Sequence, residues 1–238
     1  MRIAVLSDIH SNKQALQAVQ QSIQEHSIDT IWSTGDFVDY GADPVFVMEW
    51  AISSVEYGVL GNHDAVMVDR TSPENFNRYA RRSIPYTMQQ LGENHLQWLS
   101  SLPLEQEIAG VRLVHASPAH PERWTYLISP GQAQMMFDYF PEPVCFYGHT
   151  HLQGGFDSDG QIYGEGIIQL KSGRKYLINP GSVGQPRDGD ARWGYALYDT
   201  DAGEVELIRG EYNIMEAAKN IYKAGLPEFL GTRLYEGR

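Results

Sequence analysis

Aspartate, asparagine and histidine recur in five short clusters, each placed just after an apolar run. They are Asp8-Ile9-His10, Gly35-Asp36, Gly61-Asn62-His63-Asp64, His115 and Gly148-His149-Thr150-His151. These residue types bind borderline divalent metals through oxygen and imidazole nitrogen. Taken singly, such a residue is most often a surface or capping group. Five clusters at the ends of strand-like segments imply that distant parts of the chain converge on one metal centre. Unpaired acids and imidazoles gathered in an interior are costly unless their charge is compensated.

The types and spacings suit particular tasks. Asp8 and His10 stand at i and i+2, so in a turn both side chains can reach one ion. Gly35 lets the backbone bend sharply before Asp36, whose two oxygens can serve different ions. Asn62 offers an amide oxygen, and His115, His149 and His151 offer imidazoles. The pool is too large for one tetrahedral ion and suits two ions sharing a carboxylate and a hydroxide. Two divalent ions about 3.5–4 Å apart promote in-line displacement at phosphorus. They make a bridging water acidic, and they clamp the phosphoryl oxygens. The leaving oxygen still needs a proton, and His63 is free to supply it, since an imidazole titrates in the useful range. Asp64, next in sequence, is expected to orient His63 by accepting its other N–H.

Positioning these groups requires strands that end together. Ile3 to Leu6, Thr30 to Ser33 and Tyr57 to Leu60 are predicted strands. They alternate with helices carrying Leu16, Val19 and Ile23, then Val47, Trp50 and Ala51. Asn12 is the expected N-cap of the first helix and Pro44 opens the second. Such β-α-β-α-β alternation implies a parallel sheet, with ligands bound beyond the strands' carboxyl ends. A mainly helical insert is expected from about Pro73 to Ser101. Further strands are expected at Val111 to Val114 and Val144 to Tyr147, with a helix at Gln132 to Phe140 between them. From Gly154 the texture becomes that of alternating strands, with hairpin turns at Asp157-Ser158-Asp159-Gly160 and Asp201-Ala202-Gly203. Asn213 and Glu216 cap a closing helix whose expected buried stripe is Ile214, Ala218, Ile221 and Tyr222. No linker or repeat interrupts residues 1–238, so one domain is expected.

The bulk composition narrows the partners. The chain has 238 residues, 42% of them hydrophobic, which allows a substantial core. Its formal net charge of −12 disfavours non-specific binding to nucleic acid or to anionic membrane. A small anionic substrate stays compatible, because bound cations reverse the local sign. Cys145 is the sole cysteine, which excludes an intrachain disulfide and a cysteine-based zinc site. No apolar stretch is long enough for a membrane span, and the start of the chain leaves no room for a signal peptide. A soluble, cytoplasmic protein is expected.

In this order, Asp-x-His, Gly-Asp, Gly-Asn-His-Asp, a lone His after a strand, and Gly-His-Thr-His resemble the signature of the calcineurin-like metallophosphoesterases. The style is similar to that of the small bacterial and archaeal phosphodiesterases. The resemblance implies an α/β fold of two facing mixed β-sheets flanked by helices, a four-layer αββα sandwich. It implies Asp8, His10 and His151 on a first metal, Asp36 bridging, and Asn62, His115 and His149 on a second. His63 would be the general acid. The mixed donor set suits Mn2+, Fe2+/Fe3+, Zn2+, Co2+ or Ni2+.

Two departures bear on substrate. Family phosphoprotein phosphatases and dinucleoside-tetraphosphatases resemble Gly-Asp-x-Val-Asp-Arg-Gly and Arg-Gly-Asn-His-Glu/Asp. Tyr40 and Leu60 stand here where those arginines hold phosphate. Neither can supply bidentate recognition, which counts against phosphoprotein and dinucleoside polyphosphate substrates. The expected activity is therefore phosphodiester hydrolysis by a metal-bridging hydroxide. Phosphomonoester, phosphoprotein or dinucleoside polyphosphate hydrolysis is the alternative. A non-catalytic protein-binding scaffold is the second alternative. In the turn-rich segment Asn179 to Asp190 and just beyond it, Arg187 or Arg192 is expected to replace the missing phosphate contact. His26, His95 and His120 match no motif. Trp124 and Tyr126 are placed either in the cleft or in ordinary packing.

Overall fold

The computed structural model of the protein describes residues 1–238. The first half lays down β1 (Arg2–Leu6), α1 (Lys13–Glu25), β2 (Thr30–Ser33), α2 (Pro44–Ser54), β3 (Val55–Gly58) and α3 (Asn62–Met67). Helices α4 (Ala80–Gln90) and α5 (Glu93–Ser101) form the insert, followed by β4 (Glu105–Ile108), β5 (Val111–Val114), α6 (Pro130–Met136) and β6 (Val144–Phe146). Six strands follow: β7 (Gly154–Asp157), β8 (Ile162–Tyr163), β9 (Gly166–Gln169), β10 (Tyr176–Asn179), β11 (Trp193–Asp199) and β12 (Glu204–Gly210). Helices α7 (Ile214–Lys223) and α8 (Glu228–Thr232) close the chain.

The strands form two six-stranded mixed sheets, ordered β3-β2-β1-β11-β12-β9 and β4-β5-β6-β10-β7-β8. Within the first, β1, β2 and β3 run parallel. Within the second, β5, β6 and β10 do. The remaining pairings are antiparallel.

Side-chain alternation explains the layering. Ile3 and Val5 of β1 enter a core shared with Val111, Leu113, Val144, Phe146 and Ile178 of the other sheet. Ala4 and Leu6 point the other way, into a core with Leu16 and Val19 of α1 and Val47 and Met48 of α2. On the second sheet's far face, Cys145 and Leu177 pack with Ala133, Phe137 and Phe140 around α6. Helix, sheet, sheet and helix thus form four layers, the αββα sandwich expected. Burial drives the Cys145 thiol pKa up, consistent with an inert core residue.

Local signals act as the sequence indicated, with shifts at the ends. The Asn12 side chain accepts the Ala15 N–H at 3.1 Å, a cap worth about 1 kcal/mol. Asn213 caps α7 through the Glu216 N–H at 3.0 Å. Strand β3 begins and ends two residues earlier than expected. Its exit is drawn off the ladder, since the Leu60 N–H donates to Pro103 O at 2.8 Å. On α7 the buried positions are Ala217, Ala218 and Ile221, whereas Tyr222 is exposed. No helix is long and apolar enough to cross a membrane.

Candidate metal centre

All six parallel strands deliver their carboxyl ends to one edge of the sandwich. Asp8 follows β1, Asp36 follows β2, and Asn62 and His63 open α3 just after β3. His115 follows β5 directly, and His149 and His151 follow β6. The chain turns so sharply here that Asp8, His10, Ser11, Asp36, Asp39, Tyr40, His149 and His151 all have positive φ, between 48° and 72°. Left-handed backbone is costly for non-glycine residues and concentrates where function requires it. Two glycines allow the packing. A Cβ on Gly61 would overlap the Asp36 carboxylate, and one on Gly148 would overlap Ser7 Oγ.

Three triads of possible donors result. They are Asp8, His10 and His151; His10, Asp36 and His63; and Asp36, His115 and His149, all buried. His151 Nε2 lies 3.2 Å from Asp8 Oδ1 and 3.2 Å from His10 Nε2. His115 Nε2 lies 3.2 Å from Asp36 Oδ2, 3.1 Å from Asn62 Oδ1 and 3.2 Å from His149 Nδ1. Asp36 Oδ2 also lies 3.7 Å from His10 Nε2. It therefore stands between the two groups.

The outer bonds fix which atoms face inward. Nδ1 of His10, His115 and His151 meets the carbonyls of Val38 (3.1 Å), Thr34 (2.8 Å) and Gln185 (2.5 Å). A carbonyl only accepts, so Nδ1 carries a proton and Nε2 faces the cluster, offering a lone pair whenever the ring is neutral. Each carboxylate is likewise half committed. Asp8 Oδ2 accepts from Ser7 Oγ–H at 2.5 Å and from the His149 N–H at 3.1 Å. Asp36 Oδ1 accepts the His63 N–H at 2.8 Å. The other oxygens, Asp8 Oδ1 and Asp36 Oδ2, make no hydrogen bond although buried, and neither does His149 Nε2. Buried polar atoms without partners are rare and call for an explanation. Converging lone pairs and orphaned carboxylate oxygens are what divalent cations require, so the donor set fits them.

The electrostatics agree. Burial holds His10, His149 and His151 well below the usual imidazole range, with His115 adding to the effect on His149 and Arg187 to that on His151. Burial would also lower His115, but the adjacent Asp36 carboxylate overrides it and raises the ring to about 9. Burial works to raise Asp36; His115 and His63 nevertheless hold it well below the ordinary carboxylate range.

His63 sits beside this cluster, its ring 4.9 Å from that of His10 and 4.5 Å from that of Tyr40. The expectation that Asp64 orients it is corrected. His63 Nδ1 meets Asp39 Oδ2 at 2.7 Å instead. Asp64 turns back on the backbone, accepting the N–H groups of Asp36 (2.7 Å), Phe37 (2.9 Å), Val38 (3.3 Å) and Gly61 (3.2 Å). Burial, reinforced by Asp36, pushes Asp64 up to about 7 against the pull of those N–H groups.

The two arginines part ways. Arg187 donates its N–H to His151 O at 3.3 Å and lies over the Tyr40 ring at 5.8 Å, within the site's surroundings. Arg192 is committed elsewhere, bonded to Asp190 at 2.7 Å and Glu165 at 3.2 Å, so the phosphate role expected for it is withdrawn. His120 is exposed near Glu122, 3.6 Å away. A cleft of about 470 Å3 opens over the centre, lined by Asn62, His63 and His149 together with Phe76, Trp124 and Tyr126.

This fold and site define a metallophosphoesterase. The chain belongs to the calcineurin-like phosphoesterase superfamily, whose domain model matches residues 1–203. It is 41% identical over 241 residues to an uncharacterized protein of Methanocaldococcus jannaschii, covering 99% of this chain and 98% of that one. The crystal structure of a metallophosphoesterase from Sphaerobacter thermophilus is similar at a TM-score of 0.90 and 40% identity, covering 100% of this chain and 99% of that one. A hypothetical protein from Pyrococcus horikoshii shares the fold at a TM-score of 0.78 and 20% identity, with 100% and 98% covered.

Proposed function

We propose that the protein hydrolyses phosphodiesters with two divalent ions. Asp8, His10 and His151 would hold the first ion, Asn62, His115 and His149 the second, and Asp36 would serve both. Ions bound there acidify water and offset charge on phosphoryl oxygens. The observation that carries this reading is the pair of buried, unbonded oxygens, Asp8 Oδ1 and Asp36 Oδ2, facing imidazole Nε2 atoms.

The chain's own groups account for the rest. His63 donates a proton from Nε2 to the leaving oxygen, with Asp39 holding its Nδ1 at 2.7 Å and fixing the ring's orientation. Arg187, over the Tyr40 ring and bonded to the Gln185 amide oxygen at 2.8 Å, would have to reach a non-bridging oxygen from outside the cleft lining. The only cation lining the cleft is Arg123, with Glu122 3.8 Å away. So sparse a positive lining suits a singly charged diester better than a dianionic monoester.

The test is hydrolysis of a chromogenic phosphodiester with added Mn2+, run beside phosphomonoesters, dinucleoside polyphosphates and phosphopeptides. A diester preference is expected, with His63→Ala slower by about 10²–10⁴-fold. No metal-dependent turnover on any substrate would return the protein to the scaffold class. Unchanged kinetics of Arg187→Ala on every substrate would remove that residue.

A further inference from the structure

The cleft above the metal centre has an unusual lining. Tyr126 stacks on His149 with ring centroids 3.9 Å apart, yet 48% of its surface stays exposed. Trp124 meets His115 edge-on at 5.9 Å and has φ of +53°. That left-handed conformation is disfavoured for a bulky residue, and here it turns the indole into the cleft. Phe76, also in the cleft lining, packs against His63 at 4.8 Å. Aromatic rings therefore line the cleft beside His63 and beside the His115 and His149 pair. Apart from the Arg123 and Glu122 pair at the rim and the histidines of the centre, the polar lining includes the neutral side chains of Asn62, Asn75, Asn77 and Thr71. Asn77 is used up, because its amide oxygen accepts the N–H groups of Tyr79 and Ala80 and its amide nitrogen donates to Tyr40 Oη. Asn75 is exposed and its amide makes no hydrogen bond in the protein.

We infer that this cleft takes a nucleobase, and that Trp124 with Asn75 selects nucleoside phosphodiesters. The inference rests on the phosphodiesterase reading above and names its substrate class. A planar ring stacks on Trp124, as bases do on aromatic platforms in nucleic-acid-binding proteins. The free Asn75 amide, both donor and acceptor, pairs with the base edge. Other occupants fit worse. A polyphosphate tail needs more cations than Arg123. A lipid chain needs an unbroken apolar wall, and the amides interrupt it. The volume of about 470 Å3 falls within the range of small-ligand pockets.

The experiment has two arms on the full-length, Mn2+-supplemented protein. Calorimetry compares adenosine 5′-monophosphate with glycerol 3-phosphate. Kinetics compare a dinucleoside monophosphate with glycerophosphocholine. In the wild type the nucleotide binds more tightly and the dinucleoside has the higher kcat/KM. Trp124→Ala lowers that preference by about tenfold or more, the loss of one base stack. Trp124→Phe restores most of it, and Asn75→Ala lowers it without Trp124 being touched. Equal binding of the two phosphates by the wild type would overturn the inference. So would a Trp124→Ala protein weakened equally toward both, because the indole would then only brace His115. The two readings fail separately. Nucleotide preference in binding without any hydrolysis sinks the phosphodiesterase, whereas hydrolysis of both diesters without preference sinks the base site.

Discussion

Asp39 and His63 form a buried pair, carboxylate oxygen to Nδ1 at 2.7 Å, although 24 positions separate them in the chain. The other Asp39 carboxylate oxygen has no partner, so the side chain's one directed bond is to this ring. That bond fixes the ring's orientation and places the proton on Nδ1, leaving Nε2 to face the cleft, where the proposed proton transfer needs it. Asp39→Asn keeps the shape and removes the charge. Its kcat is expected to fall about ten- to a hundredfold, part of what a positioned acid supplies, with metal content unchanged. A steady-state assay beside elemental analysis checks this, and an unaltered kcat would dismiss the pair's role.

Asp64 should behave differently. Its carboxylate collects four backbone N–H groups from the two loops that present Asp36 and Asn62. Asp64→Ala leaves those buried donors without an acceptor, at about 1–3 kcal/mol for each that water cannot reach. Loss of thermal stability and of bound metal together is the expected result. A protein that melts normally, keeps its metal and loses only turnover would instead place Asp64 in the proton path.

That contrast marks how far the sequence could be read. Asp8, Asp36, His115 and His149 were legible because each follows a strand, and parallel strands share one end. Asp64 was misassigned because adjacency to His63 suggested contact. On a helix, neighbours at i and i+1 point to different faces, and Asp64 occupies the third position of α3, where a carboxylate naturally bonds back to the N-terminal amides. Asp39 carried a weak signal, an acid three positions after Asp36 in a strand exit. Only the left-handed turn at Asp39 and Tyr40 brings it to His63. Arg192 was unreadable for another reason. Asp190, two residues before it, satisfies the guanidinium locally, and spacing alone does not reveal which charges are already paired.

Metal binding should release a proton. Without ions, His115 is raised to about 9 by Asp36 at 3.2 Å, so it is charged at neutral pH. As a ligand it must be neutral. His10, His149 and His151 are held low by burial and are already neutral. About one proton is thus expected per protein when the metal pair binds near pH 7, and affinity falls as pH falls. Titration calorimetry in buffers of differing ionisation enthalpy measures the number. A value of zero would mean that His115 is no ligand.

The metal-stripped protein should weaken in acid. An unfolded chain protonates His10, His149 and His151 near the ordinary 6.5, whereas the folded chain does not. Stability is then lost as pH drops through that value. His115 works oppositely, contributing fully below about 6.5 and losing its contribution as pH climbs toward about 9. Below 6.5 it is charged in both states and adds no slope. Asp64, raised to about 7, takes up its proton in the folded state first and offsets one histidine. Each uncompensated proton tilts stability by about 1.4 kcal/mol per pH unit, and the two remaining histidines set the direction. Urea unfolding of chelator-treated protein should therefore show a midpoint that falls between about pH 7 and about pH 5. Saturating Mn2+ at neutral pH should raise the midpoint by mass action. A midpoint that is flat or rises on acidification would contradict the burial of three neutral imidazoles at the centre.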